Sequence, residues 1–295
     1  MTISFDHNKH TFHRAMTPTP TSPGFSLFFP NPDVDSNARV PLIQSDLWEA
    51  ITGEHLSPQN ICQLCDNLTI STKDFSAIYY QKSTDRQGSR ELQQKIEECT
   101  DIERRQIFNA LYSHFDVLIY DPWANYVIQK LCEYRNPETE EKFLTFFLKD
   151  VKTVINHANG CRVLQKFIEN TSKPNVDQLY LALRDQIEPM CTSPNGNHIV
   201  QRFIEMLPER VPEIIKIIEP QVDSLVEDSC GCRVVQKLFD RYDIELLRPL
   251  VDRVLVRAGK LATNQYGNYV IQNILESGPD SDVEKIFAEF KGKFF

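Results

Sequence analysis

The residues with the clearest chemical potential are glutamines and their neighbours in six nine-residue segments. The segments are GSRELQQKI, ANYVIQKLC, GCRVLQKFI, GNHIVQRFI, GCRVVQKLF and GNYVIQNIL, which begin at Gly88, Ala124, Gly160, Gly196, Gly231 and Gly267. We number each segment from the residue after its Gly or Ala, which is position zero. Positions zero, one, four and five carry the residues that could bind a ligand, so the same chemistry recurs six times.

Position four is glutamine in all six segments, and a small side chain accompanies it at position zero. The pairs are Ser89 with Gln93, Asn125 with Gln129, Cys161 with Gln165, Asn197 with Gln201, Cys232 with Gln236, and Asn268 with Gln272. On a helix the two positions are offset by only about 40°, so their side chains share a face. A carboxamide offers a donor and an acceptor together, as the edge of a nucleic-acid base requires.

Positions one and five add planar groups and cations. Position one holds Arg90, Tyr126, Arg162, His198, Arg233 and Tyr269, and each of these can stack on a base, which is worth roughly 1–3 kcal/mol per base. Position five holds Lys130, Lys166, Arg202 and Lys237 in the middle four segments, where they could offset phosphate charge. Single polar residues near a helix start are often caps, and surface cations are often merely solvated. Six copies at fixed spacing favour binding.

The elements that position these residues are predicted to be helices. In five of the six segments positions two, three, six and seven are apolar, as in Val163, Leu164, Phe167 and Ile168. At 100° per residue they cover about 200° to 340° of a helix, whereas the polar positions cover about 0° to 140°. The segments begin 36, 36, 36, 35 and 36 residues apart. Apolar-periodic stretches precede the segments at 102–119, 139–155, 211–226 and 244–261, so each repeat is predicted as helix, turn, helix. Such pairs bury their apolar faces by stacking.

The segments resemble the Pumilio, or PUF, family of RNA-binding repeats, which read one base per helical repeat. The likeness covers about residues 72–290. The motifs SR-x-x-Q, NY-x-x-Q, CR-x-x-Q, NH-x-x-Q, CR-x-x-Q and NY-x-x-Q occur in the order of the family's first six repeats. The resemblance implies an all-α, right-handed superhelical solenoid whose motif helices line the concave face.

The resemblance also implies a ligand and a role. Ser or Cys with Gln is associated with adenine, and Asn with Gln is associated with uracil. The RNA runs antiparallel to the repeats, so the implied single-stranded site is 5′-UAUAUA-3′. The implied role is post-transcriptional repression in the cytoplasm, through mRNA 3′ untranslated regions and recruited translational repressor or deadenylation factors.

The chain departs from the family pattern at its C-terminal end. The family has eight repeats, and its seventh carries a Ser-Asn-x-x-Glu motif that reads the G of a 5′-UGU. Here only six complete repeats occur, and Phe295 falls within the first helix of an unfinished seventh. We expect weaker, AU-tolerant binding and some apolar residues without their usual next neighbour, namely Ile286, Phe287, Phe290, Phe294 and Phe295.

The composition and the motifs argue against several other classes of protein. The net charge of −9 argues against a generic basic nucleic-acid binder. Neither a membrane span nor a secretory signal is predicted, and the eight cysteines are interpreted as reduced thiols in the cytosol. Cys62-x-x-Cys65 has no second pair downstream to complete a zinc site. We expect no metal, no cofactor and no enzymatic activity, because repetition distributes polar groups evenly instead of concentrating them.

The domain organisation follows from these patterns, and two other functions stay open. Residues 1–45 contain six prolines between Pro18 and Pro41 and are expected to be disordered. Residues 46–295 form the expected repeat domain, in which residues 46–70 cap the stack. One alternative is a protein-binding α-solenoid scaffold, which the acidic total would suit. Another is a shortened gene product with little activity of its own.

Overall fold

The structure is a computed structural model that describes residues 72–134 and 136–291, and within those ranges it contains helices and no strand. In chain order the helices are α1 (Thr72–Thr84), α2 (Arg86–Glu98), α3 (Asp101–Tyr112), α4 (Phe115–Leu118), α5 (Ala124–Cys132), α6 (Pro137–Lys149), α7 (Val151–Asn156), α8 (Ala158–Asn170), α9 (Lys173–Leu183), α10 (Ile187–Thr192), α11 (Gly196–Met206), α12 (Val211–Ile218), α13 (Val222–Leu225), α14 (Gly231–Phe239), α15 (Arg248–Leu255), α16 (Ala258–Leu261), α17 (Gly267–Ser277) and α18 (Asp280–Lys291).

Several sequence-based expectations concern residues that the structure does not describe. The disordered segment 1–45, the capping helix within 46–70, the pair Cys62 and Cys65, and Phe294 with Phe295 lie outside the described residues. No helix in the described ranges has both the length and the apolar character needed to cross a membrane.

The six predicted segments lie on helices that stack in a single row. These motif helices are α2, α5, α8, α11, α14 and α17, and each contacts the next along the chain. The apolar positions face inward, since Val163, Leu164, Phe167 and Ile168 are all buried. One hydrophobic core runs from Leu92 to Ile286 without interruption. The chain is therefore an all-α repeat solenoid, as predicted.

The outer part of most repeats differs from the single helix that the sequence predicted. The stretch 139–155 is divided into α6 and α7 at Asp150, whose backbone is not helical (φ −156°, ψ 56°) and whose carboxylate accepts from the Thr153 N–H. In the stretch 211–226, Pro220 lies in a 3₁₀ turn between α12 and α13. Proline lacks the N–H that a continuous helix needs. Most repeats are consequently built from three helices instead of two.

Prolines near the repeat joints begin helices. Pro137 is the first residue of α6, where Asn136 accepts from the Glu138 and Thr139 N–H groups. Pro174 and Pro212 occupy the first turns of α9 and α12. The first turn tolerates proline because its N–H groups have no partner within the helix. These prolines therefore set where α6, α9 and α12 start.

Aromatic side chains connect the outer helices of neighbouring repeats. Phe143 of α6 meets Phe108 of α3 edge-on with ring centroids 5.1 Å apart, and it lies 5.4 Å from Phe167 of α8. All three rings are buried. Such pairs contribute about 0.5–1.5 kcal/mol beyond the burial of their area, so they stabilise the stacking of one repeat on the next.

The last described helix, α18, packs against α15, α16 and α17. Of the residues expected to lack their usual next neighbour, Ile286 is fully buried in the hydrophobic core, whereas Phe287 is 53% exposed. Asp282 is buried too, and its carboxylate accepts from Arg248 at 2.8 Å. A buried carboxylate needs a charged or hydrogen-bonding partner. The ion pair between Asp282 and Arg248 therefore links α18 to α15.

Glycine recurs before position zero because the motif helix approaches the preceding short helix closely. A Cβ on Gly231 would lie 2.6 Å from the carbonyl oxygen of Leu225 and 2.9 Å from its Cα. At Gly267 the nearest atom would be Cδ2 of the Leu261 side chain, at 2.9 Å. Backbone cannot move aside as a side-chain terminus can, so the two glycines differ in how strictly they are required.

We predict that Gly231→Ala lowers the free energy of unfolding by about 1–3 kcal/mol, the usual cost of overpacking. Helix propensity alone would act in the opposite direction, because alanine is the better helix former. Gly267→Ala is the matched control and should cost less, since the Leu261 side chain can rotate. Urea unfolding of both variants measures the difference. Equal losses, or a gain for Gly231→Ala, would contradict the steric explanation.

Candidate nucleic-acid interface

The position-one side chains project from the row of motif helices. Tyr126 is 50% exposed and Tyr269 is 51% exposed, although both belong to helices with a buried apolar face. Arg90, Arg162 and Arg233 are exposed, and His198 is half-buried. All six planar groups are therefore accessible to some degree, as stacking requires.

Arginines influence the middle of this row. The pKa of His198 lies below its ordinary value, first because of burial and then because of the positive charges on Arg233, Arg162 and Arg202. Arg162 and Arg233 are the position-one residues of the repeats on either side. Their influence on His198 indicates that position-one groups of consecutive repeats share one surface. Near neutral pH His198 is consequently an uncharged ring.

In two of the repeats with Asn at position zero, a hydrogen bond joins the side chains of positions zero and four. The amide nitrogen of Asn125 donates to the Asp121 carbonyl at 2.8 Å, and the oxygen of Asn125 accepts from Gln129 Nε2 at 2.8 Å. Asn197 and Gln201 repeat the contact at 2.9 Å. Each glutamine thus keeps its carbonyl oxygen and one N–H for an incoming base edge.

Position zero is less accessible than position four in these repeats. Asn125 and Asn197 are each 1% exposed, whereas Gln129 and Gln201 are half-buried. In the sixth repeat Asn268 is half-buried and Gln272 is exposed, and Asn268 donates to the Asn264 carbonyl at 2.7 Å. The glutamines are therefore the more exposed members of the pairs.

The repeats with Cys or Ser at position zero are organised differently. The Cys161 thiol donates to the Asn195 carbonyl of the next repeat at 3.3 Å and accepts from Gln165 Nε2 at 3.3 Å. Burial raises the pKa of Cys161 to about 11, so the sulfur is a neutral thiol. In the first repeat Gln93 donates to the Ser89 carbonyl at 3.1 Å. Cys232 is also buried, beside half-buried Gln236.

The four position-five cations, which the sequence predicted to contact phosphate, are not free. Lys130, Lys166, Arg202 and Lys237 each lie in an ion pair with at least one glutamate of the motif helices. The Lys237 ammonium, for example, is 2.8 Å from a Glu205 carboxylate oxygen. Their proposed contact with phosphate therefore requires an exchange of partners.

A row of capping side chains was missed by sequence reasoning. The residue four before position zero accepts from backbone N–H groups at the start of every motif helix. These residues are Asp85, Asp121, His157, Ser193, Asp228 and Asn264. Asp121 Oδ1, for example, accepts from the Trp123 and Ala124 N–H groups, both at 2.8 Å. The signal was a usual capping residue three residues before the Gly or Ala in every segment except the third, where His157 takes this place.

The described residues offer no geometry that suggests bound metal. No group of three His, Cys, Asp or Glu side chains in the ranges 76–134 and 136–290 is arranged to hold an ion. The Cys161 thiol is instead engaged with the Asn195 carbonyl and the Gln165 amide, and the Cys232 thiol lies 3.6 Å from the Ser229 carbonyl oxygen.

The fold and this row of side chains together define an α-helical repeat protein with one polar recognition surface. A family model described as the Pumilio-family RNA binding repeat matches residues 83–112, 114–144 and 257–290. A model described as the NOP9-like PUF repeat domain matches residues 135–246. The chain belongs to the Pumilio, or PUF, family.

Relatives and solved structures agree with this assignment. A Pumilio domain-containing protein of Schizosaccharomyces pombe is 26% identical over 92% of the chain and 37% of its own length. Pumilio homolog 12 of Arabidopsis thaliana is 25% identical over 80% of the chain and 41% of its own length. The chain thus spans about two fifths of these relatives.

Two solved structures have the same fold. One is the Puf3 RNA binding domain bound to a Cox17 RNA 3′ UTR recognition sequence, with 29% identity and a TM-score of 0.67 over 78% of this chain and 68% of that one. The other is PUF-8 in complex with PBE-RNA, with 27% identity and a TM-score of 0.69 over 79% of this chain and 70% of that one.

We predict that Asp121→Ala lowers the free energy of unfolding by about 1 kcal/mol, because two N–H groups lose their acceptor. Asp121→Asn is the control, since Asn264 fulfils the same role in the sixth repeat. Chemical denaturation of the three proteins measures both effects. The capping interpretation is wrong if the Asn and Ala variants lose equal stability.

Proposed function

We propose that this chain binds single-stranded RNA with one base at each of the six motif helices. The observation that supports this most strongly is the repeated set of a glutamine at position four and a planar side chain at position one on a continuous row of helices. The glutamine amides suit base edges and the planar groups suit base faces. The RNA-bound solved relatives support the same ligand.

The proposed site residues are those of the six segments. They are Ser89, Arg90 and Gln93; Asn125, Tyr126 and Gln129; Cys161, Arg162 and Gln165; Asn197, His198 and Gln201; Cys232, Arg233 and Gln236; and Asn268, Tyr269 and Gln272. By the base preferences of the family, we propose 5′-UAUAUA-3′ as the preferred sequence. The Asn268 repeat would meet the 5′ base and the Ser89 repeat the 3′ base.

The biological role that we propose is non-catalytic. An mRNA 3′ untranslated region in the cytoplasm would supply the single strand, and a translational repressor or deadenylation factor recruited by the complex would act on the message. RNA recognition is the part that the site geometry supports directly. A protein-binding scaffold is the competing function, and it predicts that the exposed tyrosines contact protein instead of RNA.

We predict that Tyr126→Ala and Tyr269→Ala each weaken binding of a UAUAUA oligonucleotide by about 5- to 150-fold, which corresponds to roughly 1–3 kcal/mol per lost base stack. Fluorescence anisotropy with a labelled oligonucleotide measures this loss. Tyr126→Phe and Tyr269→Phe are matched controls that retain the ring and should retain most of the affinity.

Two results would count against the proposal. Unchanged affinity in both alanine variants would show that neither tyrosine stacks on a base. Failure of the unmodified chain to bind any single-stranded oligonucleotide would favour the scaffold function.

A further inference from the structure

A ladder of alternating charges runs beside the proposed base-reading surface. Every position-five cation pairs with at least one glutamate at position eight of the same numbering, either in its own segment or in the preceding one. We call four of the six position-eight residues, Glu97, Glu133, Glu169 and Glu205, the glutamate ladder. Positions five and eight are three residues apart, so they are neighbours on a helix surface.

The ladder joins consecutive repeats as well as residues within one helix. Lys130 Nζ lies 3.3 Å from Glu97 of the preceding repeat and 2.9 Å from Glu133 of its own. Lys166 Nζ lies 3.4 Å from Glu133 and 3.6 Å from Glu169. Each of these lysines thus lies between two carboxylates that belong to different repeats.

The pattern continues through the next two repeats. Arg202 Nη2 lies 2.8 Å from Glu169, and Nη1 pairs with Glu205. Lys237 Nζ lies 2.8 Å from a Glu205 carboxylate oxygen, and Arg241 Nη2 lies 3.5 Å from the same oxygen. Burial acts to raise the pKa of Glu205, but hydrogen bonds from Lys237 and Arg202 outweigh burial and hold the pKa below its ordinary value. Glu205 is therefore ionised at neutral pH.

The ladder lies next to the stacking residues. Positions one and five are four residues apart, so each position-five cation lies one turn from a position-one side chain on the same helix. The Arg202 charge lowers the pKa of His198, the position-one residue of its own helix. A strand whose bases stack on position one would carry its phosphates past these cations, where the carboxylates already are.

We propose that the glutamate ladder competes with RNA phosphates for the position-five cations, and so limits backbone affinity and leaves discrimination to the bases. This inference rests on the proposed RNA binding. Partly exposed ion pairs contribute little to stability, so a phosphate can replace a carboxylate at little structural cost. Four carboxylates facing four cations make this set of side chains nearly neutral, which removes most of the attraction for unrelated RNA.

The double variant Glu133→Gln, Glu169→Gln tests this proposal, because it removes both carboxylate partners of Lys166. We expect a several-fold gain in affinity for UAUAUA RNA at low salt. The plot of log affinity against log salt should become steeper by about 0.7, the value for one further phosphate contact on a single strand. Affinity for a scrambled oligonucleotide should rise by a larger factor, so the specificity ratio should fall.

Four further proteins control the experiment. Glu141→Gln, Glu188→Gln changes the net charge equally at exposed residues of outer helices and should leave affinity unchanged. Lys166→Met should cost more affinity in the double variant than in the unmodified chain. Glu205→Gln removes the Lys237 partner by a single substitution and should reproduce the gain. Circular dichroism and thermal unfolding establish that each variant is folded.

The outcomes distinguish a failure of the glutamate-ladder proposal from a failure of the proposed RNA binding. Unchanged or reduced affinity in folded ladder variants, with the unmodified chain still binding RNA, would overturn the role of the ladder alone. An equal gain in the outer-helix control would also overturn it, because net charge would then explain the effect. No RNA binding by the unmodified chain would contradict the proposed function itself.

Discussion

The rest of this structure depends on one constraint. Each motif helix must bury its apolar side between neighbouring repeats. Val163, Leu164, Phe167 and Ile168 illustrate it, since all four are removed from solvent. A single repeat has too little partner surface to bury such a face, so the repeats must stack. Stacking leaves the opposite face of every motif helix on one side of the row, which places positions zero, one, four and five together.

The polar face of the motif helices combines three features: restricted glutamines, exposed planar rings and paired cations. Hydrogen bonds from Asn125 to Asp121 and from Gln129 to Asn125 restrict the glutamine before any ligand arrives. Such preorganisation lowers the entropy cost of binding. The tyrosines at position one stay exposed, although exposure of a large ring is unfavourable in water. The cations at position five are neutralised within the protein. The surface is thereby suited to unpaired bases more than to phosphate charge.

Much of this could be predicted from the sequence because the signals repeat. The six motif helices, their buried positions and their exposed planar groups all follow from one helical period applied six times. The division at Asp150 escaped prediction because apolar periodicity continues on both sides of it. The capping row was hidden by its varied residue types, of which His157 is the least typical. The glutamate ladder depends on contacts between residues more than 30 positions apart, as Glu97 and Lys130 are, and helical periodicity carries no information about those contacts.

The charge of the whole chain was also a poor guide to its surface. A net charge of −9 argues against a general affinity for nucleic acid, yet His198 lies among three arginines on the proposed interface. Acidic residues elsewhere account for the total, and those of the ladder border the interface itself. Local placement of charge is therefore the relevant quantity for this protein.

The central claim is that successive motif helices each meet one base, and selection of bound sequences from a random RNA pool tests it most directly. Selection with the unmodified chain should enrich 5′-UAUAUA-3′. Selection with Cys161→Asn, which gives the third repeat the same pair as Asn197 with Gln201, should enrich 5′-UAUUUA-3′, with a change at the fourth base alone. An absence of enrichment, or a change spread over several positions, would contradict the reading of one base by each repeat.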